Sequence, residues 1–162
     1  MLTGFKNAGR MPSQVIVSDP NADTLTSLKT AFPEIHTTMD NQEPAKADVV
    51  FVAVHPPAMK EVLCPIAPCL KADACVISLV PKMTIAKLSE WLNGFQRIIR
   101  MIPNAPAIVN RGYNPVVFAP AIPSADKTEM LELFKALGDC PQVPEATLEA
   151  YAIVTAMGPT YF

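Results

Sequence analysis

Two polar residues that follow apolar runs are candidates for binding a small molecule. Asp19 ends the apolar run at 14–19, and Asn104 lies between Pro103 and Pro106 after another apolar run. A carboxylate at the end of a strand can accept hydrogen bonds from ribose hydroxyl groups and repels a 2′-phosphate. An amide fixed between two prolines is preorganised to hydrogen-bond a ligand. Simpler roles stay open, since Asp19 can form an Asx turn or cap a helix and Asn104 can bond its own backbone in a turn.

Short β-branched runs alternate with helical patterns along the whole chain. Strands are predicted at 14–19, 35–37, 48–54, 74–79, 97–102, 114–119 and 140–143. Helices are predicted at 1–8, 22–32, 57–63, 84–92, 124–137 and 145–157. Asn21, Thr84 and Ser124 stand at helix starts, where they can cap the backbone. This alternation predicts an α/β protein, a Rossmann-like doubly wound sheet that is mostly parallel.

Composition limits the classes of function. The chain has 162 residues, half of them hydrophobic, and a net charge of -2. It therefore suits one globular domain and shows no basic excess for a nucleic-acid partner. Its apolar runs are too short for a membrane span, and no secretory signal opens the chain, so we expect a cytoplasmic location. The four cysteines contain no CxxC pair, which favours buried apolar thiols over a metal site.

Five segments, in order, resemble pyrroline-5-carboxylate reductase. They cover nearly the whole chain, and as an ordered set they are specific. The segments are LTGFKNAGRMPSQVIVSDPN at 2–21, TTMDNQEPAKADVVFVAVHPPAMKEVL at 37–63, VISLVPKMTIAKL at 76–88, RIIRMIPNAPAIVNRGYNPVVFA at 97–119 and AIVTAMGPTYF at 152–162. Asn104 between its two prolines is the most telling match. The resemblance implies NAD(P)H-dependent reduction of a cyclic imine, 1-pyrroline-5-carboxylate, to L-proline in proline biosynthesis.

The same resemblance implies the site residues. The cofactor, NADP or NAD, would meet Asp19, Asn41, Ala53, Val54, His55, Pro56 and Asn104. The substrate would meet Asn104, Gly158 and Pro159, and no metal and no catalytic side chain is implied. Simpler roles are a helix-start asparagine for Asn41 and an exposed loop histidine for His55. Asp19 favours NADH over NADPH.

The sequence also departs from the family pattern. None of its six glycines shows GxGxxG spacing, so the sheet is expected to lack its N-terminal strand and phosphate-binding turn. Residues 1–144 would form the dinucleotide-binding domain, and 145–162 would begin a helical dimerisation domain that is otherwise absent. A homo-oligomer is thus expected only for a full-length form, and the isolated chain should bind dinucleotide weakly and turn over nothing. The bulkier 80–82 segment and the shortened turn before Gly158 leave open a related oxidoreductase with another small substrate. A non-catalytic nucleotide-binding remnant is also left open.

Overall fold

Strands and helices alternate along residues 1–157, the part of the chain that the computed structural model describes, with side chains described as far as 154. The strands are β1 (Ile16–Ser18), β2 (His36–Thr38), β3 (Val49–Val52), β4 (Cys75–Ser78), β5 (Ile98–Met101), β6 (Gly112–Tyr113), β7 (Val116–Phe118) and β8 (Gly138–Asp139). The α-helices are α1 (Leu2–Asn7), α2 (Ala22–Ala31), α3 (Met59–Ile66), α4 (Ile85–Trp91), α5 (Ser124–Phe134) and α6 (Glu145–Tyr151), and a π-helix follows at Ala152–Met157. The predicted α/β class is confirmed.

The largest sheet has the strand order β3-β4-β5-β7. The first three strands are parallel, with Val50 opposite Val76 and Ile77 opposite Ile99, whereas β7 runs antiparallel to β5. Every residue of β4 and β5 is buried. Their nearly continuous apolar sequences are those of parallel strands that are covered on both faces.

A second sheet contains only β1 and β2, which are parallel and pair Val17 with Thr37. Within residues 1–157 no strand pairing joins it to the four-stranded sheet. The doubly wound, mostly parallel architecture predicted from the sequence is therefore confirmed. Its strands form two separate sheets, β1-β2 and the four-stranded sheet that begins with β3. A third pair, β6 and β8, lies where Gly138 takes a φ of 118° and approaches Gly112 closely.

The core is formed by apolar side chains of the helices packed against the four-stranded sheet. Its fully buried helical members include Met59 and Leu63 of α3, Leu88 of α4 and Phe134 of α5. A smaller cluster joins Leu148 of α6 to residues of β7 and of the loop after β5. Helix α6 is therefore packed on the sheet. The predicted domain boundary at residue 144 stays a prediction.

Two of the three predicted helix caps are confirmed. The Asn21 side chain accepts hydrogen bonds from the backbone N–H groups of Asp23 and Thr24, at 2.8 and 3.3 Å. Thr84 accepts one from the N–H of Lys87 at 3.2 Å. The cap expected at Ser124 is wrong, because Ser124 is already the first residue of α5.

The last predicted strand was placed too late in the chain. The paired residues are Gly138–Asp139, and from 140–143 only Gln142 bridges to Val116. Pro141 has no N–H to donate, which disfavours a regular strand across the predicted range. The third helix was also placed early, because Pro56–Ala58 form a 3-10 turn before α3 begins.

Candidate functional site

The loops after β3, β4 and β5 leave the sheet at the same edge, because these strands are parallel neighbours. We call this the carboxyl edge, and define it by residues 53–58, 79–84 and 102–109. Ligands of open α/β sheets bind in the crevice outside the carboxyl ends of the strands. The segments that resemble the reductase family after β3, β4 and β5 therefore meet at one place in the fold.

The loop after β3 carries four of the predicted cofactor residues. Ala53, His55 and Pro56 are exposed and Val54 is half-buried. The His55 carbonyl accepts a hydrogen bond from the N–H of Ala58 at 3.0 Å, which closes the 3-10 turn. The exposed position of His55 agrees with the simple loop role and also leaves its imidazole accessible to a ligand.

Asn104 holds the loop after β5 in place. Its side-chain oxygen accepts a hydrogen bond from the N–H of Tyr113 at 3.1 Å, and its carbonyl accepts one from the N–H of Ala107, also at 3.1 Å. The side chain is therefore oriented toward β6 rather than bonded to its own turn. This fixed orientation gives Asn104 a structural role, and its contact with a ligand stays a prediction.

Sequence inspection missed the residue behind this loop. Asn114 is completely buried, and its side-chain oxygen accepts a hydrogen bond from the N–H of Asn104 at 3.3 Å. Its amide donates to the carbonyl of Leu137 at 3.3 Å and lies 3.9 Å from the Cys140 sulfur. The only sequence signal was a polar residue at the start of the apolar run at 114–119. Because both ends of this buried amide are hydrogen-bonded, its burial does not leave a polar group unsatisfied.

A second asparagine fastens the same loop to α1. Asn110 has a φ of 61°, and its amide donates to the carbonyls of Gly4 at 2.7 Å and Ala136 at 2.5 Å. A Cβ on Gly4 would lie 2.4 Å from the carbonyl oxygen of Ala107. Helix α1 thus packs directly against the turn that follows Asn104, and glycine is required for that approach.

Asp19 and Asn41 follow the neighbouring parallel strands β1 and β2. One Asp19 oxygen accepts a hydrogen bond from the N–H of Asn21 at 2.8 Å, which is the Asx turn considered above. In residues 1–157 the other carboxylate oxygen has no hydrogen-bond partner, so it is available to a ribose hydroxyl. Asn41 lies half-buried in the turn after β2, ahead of the 3-10 turn at Pro44–Lys46. The helix-start role for Asn41 is therefore wrong.

The loop after β4 differs from its sequence interpretation in one respect. Val80 is buried in the main core, so its bulk does not narrow the crevice. Pro81 and Lys82 are exposed at the carboxyl edge, and Lys82 has a φ of 60°. The distinctive surface of this loop is therefore formed by Pro81 and Lys82.

One cysteine contacts a residue that supports the Asn104 loop: the Cys140 sulfur lies 3.9 Å from the Asn114 amide. Burial raises the pKa of Cys75, and burial raises the pKa of Cys140 to about 11. Cys64 is exposed and Cys69 and Cys140 are half-buried, so the expectation of buried thiols is met only at Cys75. The predicted substrate contacts Gly158 and Pro159 lie outside the described residues.

Across 1–157, no helix is long and apolar enough to cross a membrane.

The parallel sheet with its alternating helices is the fold of a dinucleotide-binding α/β domain. Residues 1–82 match the family described as NADP oxidoreductase, coenzyme F420-dependent. The chain belongs to this family, which agrees with the predicted NAD or NADP cofactor.

Individual proteins of known identity show a narrower similarity than the family match does. It is 31% identical to the pyrroline-5-carboxylate reductase of Escherichia coli over 99% of its own length, and 28% identical to that of Pseudomonas aeruginosa over 100%. The solved pyrroline-5-carboxylate reductase of Coxiella burnetii superposes with a TM-score of 0.88 at 29% identity and covers 99% of the chain. The chain spans 60% of the length of each of these proteins. The resemblance seen in the sequence motifs is confirmed.

Proposed function

We propose that this chain binds NADH or NADPH along its carboxyl edge and serves the reduction of a cyclic imine, 1-pyrroline-5-carboxylate, to L-proline. One observation carries the proposal. Similarity to pyrroline-5-carboxylate reductases extends over 99% of the chain, and the loops that resemble that family after β3, β4 and β5 lie at one sheet edge. Cytoplasmic proline biosynthesis is the corresponding cellular role.

Residues at this edge, together with those that follow β1 and β2, suit a dinucleotide. Asp19 offers a carboxylate oxygen to a ribose hydroxyl at the end of β1, and Asn41 follows the adjacent strand. The exposed, small side chain of Ala53 permits close approach of a ligand to the backbone, and His55 can donate to a second ribose. A bound nicotinamide would supply the hydride, as cofactors carry such chemistry while the protein binds and orients.

The proposed substrate contacts are Asn104, Gly158 and Pro159. The hydrogen bond from Tyr113 and the buried Asn114 support a fixed position for Asn104 near the crevice. An imine that arrives protonated needs no strong acid or base from the protein, so we assign no side chain to proton transfer. The chain's contribution would be orientation and electrostatics.

We expect the 162-residue chain to bind dinucleotide weakly and to turn over nothing by itself. The six glycines include no GxGxxG turn, whose backbone N–H groups would cradle the pyrophosphate. The test is a fluorescence titration with NADH and NADPH, followed by a turnover assay with 1-pyrroline-5-carboxylate. Saturable binding supports the cofactor proposal, whereas no binding of either dinucleotide contradicts it. Rapid imine reduction by this chain would contradict the expected inactivity.

A second candidate is a related oxidoreductase that acts on another small substrate. Exposed Pro81 and Lys82 favour it, because they stand at the carboxyl edge where the resembling family has small residues. Lys82 could meet an acidic group of such a substrate. Turnover assays that compare 1-pyrroline-5-carboxylate with other small imines and carbonyl compounds, using a full-length form, would separate the two reductases.

A further inference from the structure

Arg100 lies in the middle of β5 and is only 1% exposed. Its guanidinium contacts two carboxylates of α6, with Nη1 3.1 Å from Glu145 and Nη2 in closer contact with Glu149. Its Nε has no hydrogen-bond partner within the described part of the chain. A buried guanidinium is costly unless it is paired, so α6 must supply both carboxylates for β5 to hold this residue.

The same two carboxylate oxygens also bind the backbone after β4, at Lys82 in the loop and at Ile85, the first residue of α4. The Glu149 oxygen accepts a hydrogen bond from the N–H of Lys82 at 2.9 Å, and the Glu145 oxygen accepts one from the N–H of Ile85 at 2.7 Å. Each glutamate therefore bridges Arg100 on one side and the backbone of this loop on the other. Charge-assisted bonds of this kind are stronger than neutral ones.

The loop after β4 needs hydrogen bonds that hold its backbone in place. Lys82 has a φ of 60°, a conformation that a residue with a side chain adopts only where its surroundings impose it. Glu145 and Glu149 are 33% and 36% exposed, so without Arg100 their side chains could turn to solvent. Arg100 fixes the two carboxylates, and these in turn fix the backbone at Lys82 and Ile85.

We infer that Glu145 and Glu149, oriented by Arg100, are positioning residues that shape the carboxyl edge, so that dinucleotide affinity depends on the docking of α6. The inference rests on the proposed function, since it assigns the wall of the same crevice. Helix α6 thereby acts on the site without touching the ligand. Loss of either glutamate frees one specific backbone N–H and leaves the other bonded.

The first test is amide hydrogen exchange of the whole chain, measured by NMR. Glu149→Ala should speed exchange at Lys82 about tenfold, the loss expected for a charge-assisted bond, and leave Ile85 nearly unchanged. Glu145→Ala should show the reverse pattern. Glu132→Ala is the matched control, because Glu132 pairs with Lys135 on the exposed surface of α5. Equal acceleration of both amides in both variants would show general loosening and overturn the inference.

The second test measures NADH affinity of the same proteins, alongside their free energies of unfolding. The Glu145→Gln and Glu149→Gln variants keep an acceptor oxygen and preserve the fold more safely than alanine. They should weaken binding several-fold, by less than the about tenfold expected for alanine. Because each variant leaves the buried Arg100 with only one carboxylate, the free energy of unfolding should also fall, so affinities are compared under conditions where circular dichroism shows every variant folded.

The outcomes distinguish the two proposals. Unchanged NADH affinity in all four glutamate variants, with normal binding by the parent chain, overturns the positioning role and leaves the proposed function standing. If the parent chain binds neither dinucleotide, the proposed function fails and the positioning role fails with it, even where the amides exchange in the crossed pattern.

Discussion

Replacing Asn114 by alanine tests how the loop that carries Asn104 is held. The side chain is completely buried and makes two hydrogen bonds of 3.3 Å, from the N–H of Asn104 and to the carbonyl of Leu137. Alanine removes both bonds and leaves the N–H of the half-buried Asn104 and the carbonyl of the buried Leu137 without these partners. Nothing in the alanine side chain can replace them.

The expected loss follows from these two bonds. Each neutral hydrogen bond contributes about 1 kcal/mol net, and each buried group left unsatisfied costs about 1–3 kcal/mol. Because both bonds are long, values near the lower end apply, and we expect Asn114→Ala to reduce the free energy of unfolding by about 2 kcal/mol. For a domain of this size the melting temperature should fall by roughly 4–8 °C.

Urea unfolding followed by circular dichroism measures this loss. Asn7→Ala is the matched control, because the exposed Asn7 amide donates one hydrogen bond, to the carbonyl of Ile108 at 2.7 Å. Alanine is also the better helix former in α1, so the control should change stability by less than about 0.5 kcal/mol. Equal stabilities of the two variants would refute the reasoning that Asn114 supports the site loop.

Three further changes follow from particular contacts. Gly4→Ala should reduce the free energy of unfolding, measured in urea, by about 1–3 kcal/mol, because the new Cβ would lie 2.4 Å from the Ala107 carbonyl oxygen. An unchanged midpoint of urea unfolding would contradict that close packing. Asn21→Ala should cost about 1 kcal/mol in the same assay, through loss of the α2 cap, and a cost near zero would count against the cap. Folding raises the pKa of Cys140 from its ordinary value of 9.0 to about 11. The neutral thiol therefore stabilises the folded state fully below pH 9.0. This contribution to the free energy of unfolding is lost as the pH rises toward 11. The stability of the parent chain relative to Cys140→Ala should therefore decline over that range, and a constant difference would oppose the raised pKa.

The fold was largely predictable because its signals are local. Apolar runs such as those of β4 and β5 identify buried parallel strands, and Asn21 and Thr84 cap helices by contacts within three residues. Errors arose where two local rules competed, as at Ser124, which follows Pro123 inside the first turn of α5. Pro123 takes the N-cap position, where its side chain offers no acceptor to the backbone N–H groups of the first turn.

The supporting residues of the site were not predictable in the same way. Arg100 meets glutamates 45 and 49 positions later in the chain, and Asn114 meets a carbonyl 23 positions away. Such pairings depend on how α6 and β8 pack on the sheet, which no periodicity specifies. The family resemblance identified the candidate loops, whereas the structure shows which side chains hold them.

The site itself combines structural and proposed binding roles. Asn104 is held by Tyr113, and one Asp19 oxygen is used in a turn. These bonds explain the local geometry without any ligand, so the binding roles depend on direct measurement. Asp19 is the most informative position, because its carboxylate would accept a hydrogen bond from the ribose of NADH and repel the 2′-phosphate of NADPH.

A comparison of NADH and NADPH binding tests the central claim most directly. The parent chain, Asp19→Ser and the control Asp73→Ser would be titrated side by side; Asp73 precedes β4 and so lies at the opposite edge of the sheet. We expect weak, saturable binding with NADH favoured over NADPH by about tenfold, a difference of 1.4 kcal/mol, and we expect Asp19→Ser alone to abolish the preference. No binding of either dinucleotide would contradict a dinucleotide site in this chain, and a preference that Asp19→Ser leaves unchanged would contradict the proposed role of Asp19 in it.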